Sequence, residues 1–459
     1  MSNVVRFEPS QGISGPPEQG DFDPERFQVF TDRHMDRIPQ VGGLPSDQRH
    51  AMRVVASVLP FRVNAYVLDQ LIDWSRVPED PIFQLTFPQR DMLAPADFAR
   101  MDALHRRGAS REEIQALAWE LRQGLNPHPA GQLEHNRPRH EGELLTGLQH
   151  KYRETVLFFP SQGQTCHTYC TFCFRWAQFV GDKSLRIADT QASALHGYLR
   201  DHREVTDLLV TGGDPMVMKT GHLEQYLRPL AQPGFEHVQT VRIGSKALTF
   251  WPFRFVTDPD ADDLLRLFGD LIASGRHVAL MAHYNHPREL STPIAREAIR
   301  RLRDTGVEIR AQGPLLRHIN DEPSVWAELW REQVRLGIIP YYMFVERDTG
   351  ARRYFEVPLG RAWEIYQSAI QQVSGLARTA RGPSMSAAPG KVEITGIAEV
   401  AGERVFVLRF LQGRDADWVQ RPFFARFDPQ ATWLDQLQPA FGETRFFFER
   451  EVASRLARA

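Results

Sequence analysis

The apolar run Val156-Leu-Phe-Phe159 is followed, after a short polar loop, by Cys166-His-Thr-Tyr-Cys170-Thr-Phe-Cys173. Four apolar residues bounded by Pro160 and a polar loop read as a buried strand. The cysteines then stand just beyond its C-terminal end. Five further apolar runs follow at 207–211, 238–243, 277–283, 307–312 and 338–345, with amphipathic stretches such as 262–274 and 292–303 between them. In the latter, Thr292 suits an N-cap and Pro293 the first helical position. Strand–helix alternation predicts parallel strands joined by crossover helices. Six such units predict an α/β fold, a partial (β/α)6 TIM-like barrel with its site at the strand C-terminal ends. A doubly wound open sheet is the structural alternative.

Outward from this core, 31–150 reads as a helical N-terminal region. Ser110-Arg-Glu-Glu113 is a capping box ahead of the apolar stripe Ile114, Leu117, Ala118 and Leu121, and Gly124 is a plausible stop. Residues 1–30 are polar and rich in Gly, Pro and Gln, and read as a disordered lead-in. The barrel is expected over 151–391, and a C-terminal extension over 392–459 with strands near 405–410, 423–427 and 445–449.

The chain has 459 residues, and its 55 Lys+Arg against 57 Asp+Glu leave a net charge of −2. That balance argues against a dedicated nucleic-acid binder. No apolar run approaches the roughly 20 residues of a membrane span, and no secretory h-region is visible. A cytoplasmic protein is expected. Only five residues are lysine (Lys151, Lys183, Lys219, Lys246, Lys391), so few positions can do the chemistry of a primary amine.

All three cysteines of the chain fall in the C-x3-C-x2-C motif. An odd trio is not a disulfide framework. Thiolates suit zinc or an iron–sulfur cluster. A structural zinc needs a fourth ligand, His167 or a distant histidine. A four-iron cluster on three thiolates keeps one iron open to a small molecule. Three buried free thiols would be the bland reading, and it leaves the spacing unexplained.

The motif resembles that of the radical S-adenosylmethionine superfamily. The resemblance implies a [4Fe–4S] cluster on Cys166, Cys170 and Cys173, whose open iron chelates S-adenosylmethionine and whose electron releases a 5′-deoxyadenosyl radical. Thr211-Gly212-Gly213-Asp214-Pro215 is similar to the superfamily's glycine-rich motif, where glycines would let the backbone approach a ligand closely.

Further segments resemble the lysine 2,3-aminomutase family, in the family's order: Cys173-Phe-Arg175, Thr211 to Pro215, Val241-Arg-Ile-Gly-Ser245, His283-Tyr-Asn-His286-Pro287, Gln312 to Asp321, Pro340-Tyr-Tyr342 and Ala388-Pro-Gly-Lys391, with Asp80-Pro-Ile-Phe-Gln84 upstream. This implies an isomerase that moves an amino group from the α- to the β-carbon of an amino acid. It implies pyridoxal 5′-phosphate held by Lys391 as a Schiff base, with Lys151 and Tyr152 at the cofactor's phosphate and ring. It implies further cofactor contacts at Gly212, Gly213, Asp214, Arg242, Ser245, His283 and Gln312. Arg175 matches the arginine for the substrate α-carboxylate, and an electron donor such as flavodoxin or ferredoxin is implied. The family tends toward oligomers, but no residue here demonstrates a homo-oligomer.

The pattern departs where the lysine enzyme holds the distal ammonium with two aspartates. By ungapped count the first position is Arg347, with Asp348 next, and Ser384-Met-Ser-Ala-Ala388 offers no acid for the second. Slippage would bring Glu346 or Asp348 into the pocket instead. The family's zinc-binding cysteines are also absent. The expected substrate is therefore an amino acid other than lysine, with a glutamate-like acidic one leading. The alternatives are lysine 2,3-aminomutase proper, a radical enzyme without pyridoxal phosphate, and a non-catalytic zinc or iron–sulfur module.

Overall fold

A computed structural model describes residues 25–449 except 134 and 182–185. Its centre is an eleven-stranded sheet: β1 (Leu148–Tyr152), β2 (Thr155–Phe158), β3 (Asp207–Val210), β4 (Thr240–Ser245), β5 (His277–His283), β6 (Glu308–Leu315), β7 (Ile339–Val345), β8 (Arg381–Ser386), β9 (Gly390–Val400), β10 (Glu403–Gly413) and β11 (Pro422–Arg426). Strands β2 to β8 pair in parallel, each with its successor, and β1 and β9–β11 add antiparallel edges. The spatial order is the chain order throughout. A doubly wound sheet reverses its order at a switch point; this sheet does not. All six expected strands are present, with ends shifted by up to three residues. β8 adds a seventh parallel strand, and 445–449, expected as a strand, forms a turn. Of the disordered lead-in expected over 1–30, residues 1–24 lie outside the described residues, whereas Val29–Thr31 forms a short strand paired antiparallel with Arg62–Asn64 and buries Phe30, which anchors it.

The helices form where the sequence marks them. Thr292 Oγ1 accepts from Ala295 N at the start of helix Pro293–Asp304. Ser110 and Glu113 exchange both bonds of the capping box at helix Arg111–Gly124. Crossover helices such as Ala261–Ala273 bury Leu264, Leu267, Phe268 and Leu271 against the sheet, in one apolar core. A second core joins the N-terminal helices to Phe172 and Trp176 of the cysteine segment. A third lies between β9–β11 and the last segments, around Ile394, Phe406, Phe410 and Trp418. Among the described residues no helix is long and apolar enough to cross a membrane.

Two N-terminal segments hold the cysteine loop by main-chain bonds. Tyr169 N donates to Arg62 O at 2.8 Å and Thr171 N to Leu85 O at 2.9 Å. Thr171 Oγ1 donates to Gln84 O at 2.7 Å, and Asn64 Nδ2 to Phe250 O at 2.7 Å. The Asp80–Gln84 segment acquires its physical role here. Asp80 caps helix Pro81–Thr86 through Ile82 N and Phe83 N and pairs with Arg288. That fixes the turn against which the cysteines are seated.

A candidate two-cofactor active site

A cavity of about 310 Å³ opens at the C-terminal ends of the parallel strands. Cys166, Cys170 and Cys173 line one side, and Lys391 lines it from β9. Thirteen of the fifteen residues singled out in the sequence share this wall; Lys151 and Tyr152 are the exceptions. The three thiols are free and partly exposed. Burial pushes Cys173 up to about 11 and Cys166 and Cys170 well above the ordinary thiol value. Thiols so placed ionise together only when a metal brings compensating charge. Among the described residues no three metal-ligating side chains converge on a single-ion site. An iron–sulfur cluster takes each thiolate on a different iron, so the trio along one wall fits it.

The Gly212-Gly213-Asp214 turn locks the end of β3 to the cysteine loop. A Cβ on Gly213 would stand 2.3 Å from Thr165 O, and one on Gly212 2.4 Å from Gln164 Nε2. Gly212 also has φ +151°, a region closed to other residues. These glycines therefore allow close contact between two segments of the protein, and both also line the cavity. Asp214 N donates to Thr165 O at 2.7 Å. The Asp214 carboxylate accepts from Ser245 Oγ at 2.8 Å, Lys246 N at 2.8 Å and Met216 N at 2.9 Å. Burial raises its carboxyl to about 6 against these bonds. Ser245 and Asp214 thus brace the wall between β3 and β4. Arg242 also lines it, with its guanidinium paired to Asp207.

At the other end, Lys391 Nζ lies 4.0 Å from the centroid of the Tyr342 ring. Burial, then Arg242 and Arg381, bring its amine down to about 7. A lysine near neutrality is a usable nucleophile at physiological pH, which fits capture of an aldehyde cofactor. Lys151 and Tyr152 sit behind the turn that leads into Lys391, where Lys151 Nζ donates to Ala387 O at 2.6 Å. Gln312 lies in β6 and its carbonyl accepts from Tyr284 N. His283 stacks on Phe172 at 5.7 Å, and burial keeps its imidazole neutral.

Two arginines line the cavity without a hydrogen-bonded carboxylate among the described residues. Arg175 lies over Phe159 at 4.5 Å and Phe174 at 4.9 Å, and its Nη1 is buried with no partner. Arg347 lies over Phe174 at 5.2 Å; its buried Nε has no hydrogen bond and stands 4.0 Å from Asp348 Oδ1. Glu346 joins the same wall at 4% exposure, and burial raises its carboxyl well above the usual range.

Lys246 was not singled out from the sequence. It lines the cavity and donates to Glu289 Oε1 at 2.6 Å, Asn285 Oδ1 at 3.0 Å and His283 O at 3.1 Å. The scarcity of lysine was the signal available for it.

Over 394 residues the chain is 33% identical to a protein of Aquifex aeolicus named putative L-lysine 2,3-aminomutase, covering 85% of this chain and 91% of that one. The chain belongs to the lysine 2,3-aminomutase family. An L-lysine 2,3-aminomutase of Methanococcus maripaludis is 25% identical over 75% of this chain and 69% of its own. A glutamate 2,3-aminomutase of Clostridioides difficile is 29% identical over 46% of this chain and 47% of its own. No family model matches the chain. The solved structure of Streptococcus suis SuiB bound to precursor peptide SuiA is similar at TM-score 0.34, with 11% identity over 60% of this chain and 58% of that one. Members of this aminomutase family are isomerases that use a [4Fe–4S] cluster, S-adenosylmethionine and pyridoxal phosphate.

Proposed function

We propose that this chain is a radical S-adenosylmethionine, pyridoxal-phosphate-dependent 2,3-aminomutase for an amino acid with a distal carboxylate, glutamate-like rather than lysine. The seven parallel strands are read as a partial barrel over 151–391 whose mouth is the cavity. The observation that carries the reading is the shared wall: three free thiols and a lysine with a depressed pKa line one cavity at the strand ends. Cys166, Cys170 and Cys173 would hold the cluster, and Lys391 the pyridoxal aldehyde. Asp214, through Ser245 and the Lys246 amide, keeps the wall beside the cluster rigid. The cluster with S-adenosylmethionine supplies hydrogen abstraction, and pyridoxal phosphate supplies stabilisation of the migrating nitrogen.

The protein's part is placement. Arg175 would orient the substrate α-carboxylate through its planar fork, and Phe159 and Phe174 hold that fork from the sides. Arg347 would take the distal carboxylate. A lysine substrate would need an anion at that place. Burial raises the carboxyl of Glu346, the acid beside Arg347 on the wall, and so disfavours an anion there, and Asp348, 4.0 Å from the Arg347 Nε, is not among the lining residues. Aromatic walls from Phe172, Phe174, Tyr342 and Phe344 exclude water from the reacting atoms.

The test is anaerobic reconstitution with iron, sulfide and pyridoxal phosphate, followed by borohydride reduction, peptide mapping, and a panel of amino-acid substrates. Label on Lys391 and conversion of glutamate to its β-isomer are expected. Turnover of lysine alone would overturn the substrate class. An unlabelled Lys391 in protein carrying its cluster would leave a radical enzyme without the pyridoxal cofactor.

A further inference from the structure

The loop after β7 carries Arg347 and Asp348, and a turn of the N-terminal region holds it. Asn126 Nδ2 donates to Asp348 O at 2.6 Å and to Asp348 Oδ2 at 3.3 Å. Thr349 Oγ1 donates to Asn126 O at 2.5 Å and accepts from Trp176 Nε1 at 2.9 Å. Gly350 N donates to Leu125 O at 2.9 Å. A Cβ on Gly350, at φ +60°, would stand 2.9 Å from Trp176 Cδ1. Trp176 follows Arg175, and its N donates to Cys173 O at 3.1 Å. Residues 125–126 therefore fix the Arg347 loop against the segment that carries Arg175 and the last cysteine.

This latch separates two neighbours of opposite charge. Arg347 lines the cavity and Asp348 does not. Asp348 Oδ1 stands 4.0 Å from Arg347 Nε, beyond hydrogen-bond reach, and Oδ2 is turned to Asn126. Released, the Asp348 carboxylate would be a tethered competitor. At high effective concentration it would take the same guanidinium that a substrate carboxylate needs. Asn126 supplies the amide that holds it. This asparagine has φ +51°, a left-handed conformation that its side chain tolerates better than most, and both its carbonyl and its amide bond the loop.

We propose that Asn126 is a positioning residue for substrate specificity: it holds the Asp348 carboxylate off Arg347 and so keeps that guanidinium open to the distal carboxylate of an acidic amino acid. The inference rests on the reading that Arg347 takes that carboxylate. It gives the N-terminal region a part in substrate choice, through a residue that does not itself line the cavity.

The experiment uses full-length protein carrying its cluster and pyridoxal phosphate, kept without reductant so that a substrate binds and is not consumed. Binding of glutamate and of lysine is followed by calorimetry. Asn126 is exposed, so its replacement empties no core. Asn126→Asp repels the Asp348 carboxylate and should weaken glutamate binding roughly tenfold, about one charge-assisted contact. In the reduced enzyme KM should rise with it and kcat stay level. In an Asp348→Asn background the same replacement should change nothing, because no competing charge is left to release. An equal loss in both backgrounds, or wild-type affinity in Asn126→Asp, overturns the proposal and leaves the role of Arg347 standing. If Asn126→Asp does not fold, Asn126→Gly, which drops the amide and accepts a positive φ, decides in the same two backgrounds by the same criteria. A wild type that binds lysine and not glutamate would instead remove the acidic-substrate reading itself.

Discussion

Lys391 has its amine over the Tyr342 ring and feels the charges of Arg242 and Arg381. Its folded-state value of about 7 lies below the ordinary 10.5. Capture of pyridoxal phosphate should therefore rise to half its maximum near pH 7, rather than above pH 10, when labelling of Lys391 is followed by mass. Linkage adds a second readout. Between those two values the unfolded chain binds more protons at this site than the folded one, so stability from this group rises with pH. Relative to Lys391→Met, the cofactor-free wild type should gain stability as pH is raised from about 7 to 10. A flat difference between the two melting curves would count against the depressed amine. On the same cavity wall, Arg347→Gln should lower kcat/KM for an acidic substrate roughly a hundredfold, about 3 kcal/mol, and leave Lys391 labelling unchanged. Lys391 and the cysteines were legible from the sequence because thiols and primary amines are rare in this chain. Glu346 entered only as the alternative to Arg347, and Lys246 was not singled out, because nothing in a linear sequence says which charged side chain turns inward.

The elements place these side chains through backbone contacts. The turn after β3 rests on the cysteine loop with no room for a side chain: a Cβ on Gly213 would meet Thr165 O, a main-chain atom, at 2.3 Å. Gly213→Ala should cost more than about 2 kcal/mol, since neither backbone yields cheaply, and should lower iron incorporation. Gly221→Ala is the matched control. It lies exposed in helix Thr220–Leu227 with nothing within 4 Å of the added atom, and should be neutral or stabilising by up to ~1 kcal/mol. Equal loss of iron in both variants would refute the packing argument. Periodicity located the six strands because parallel strands buried on both faces are apolar runs. It did not show β8, Arg-Gly-Pro-Ser-Met-Ser, which pairs with β7 despite its polar composition. Nor did it show that Lys151 and Tyr152 belong to an antiparallel edge strand, β1.

Three apolar cores divide the work of the whole molecule. The core of the parallel sheet supports the strand ends, the N-terminal core seats the cysteine loop, and the C-terminal core carries β9 with Lys391. Removing residues 403–459 would uncover Val392 and Ile394 on β9, which are fully buried. The shortened chain should lose pyridoxal phosphate binding and aggregate. A soluble, cofactor-binding product in size-exclusion chromatography would show that the third core is dispensable.

Local order in the chain was enough for the strand succession, the cluster motif, the candidate lysine and the family. Each is a pattern of residue types at short spacing, and such patterns survive in one dimension. Other features arose only on folding. Arg414 meets Asn136 across 278 residues, Lys151 meets Ala387 across 236, and Thr171 meets Gln84 across 87. The Lys391 amine owes its low value to burial among arginines of other strands. Contacts between distant segments, and the desolvation they impose, have no signature in the linear order of the residues, because both depend on which surfaces exclude water together.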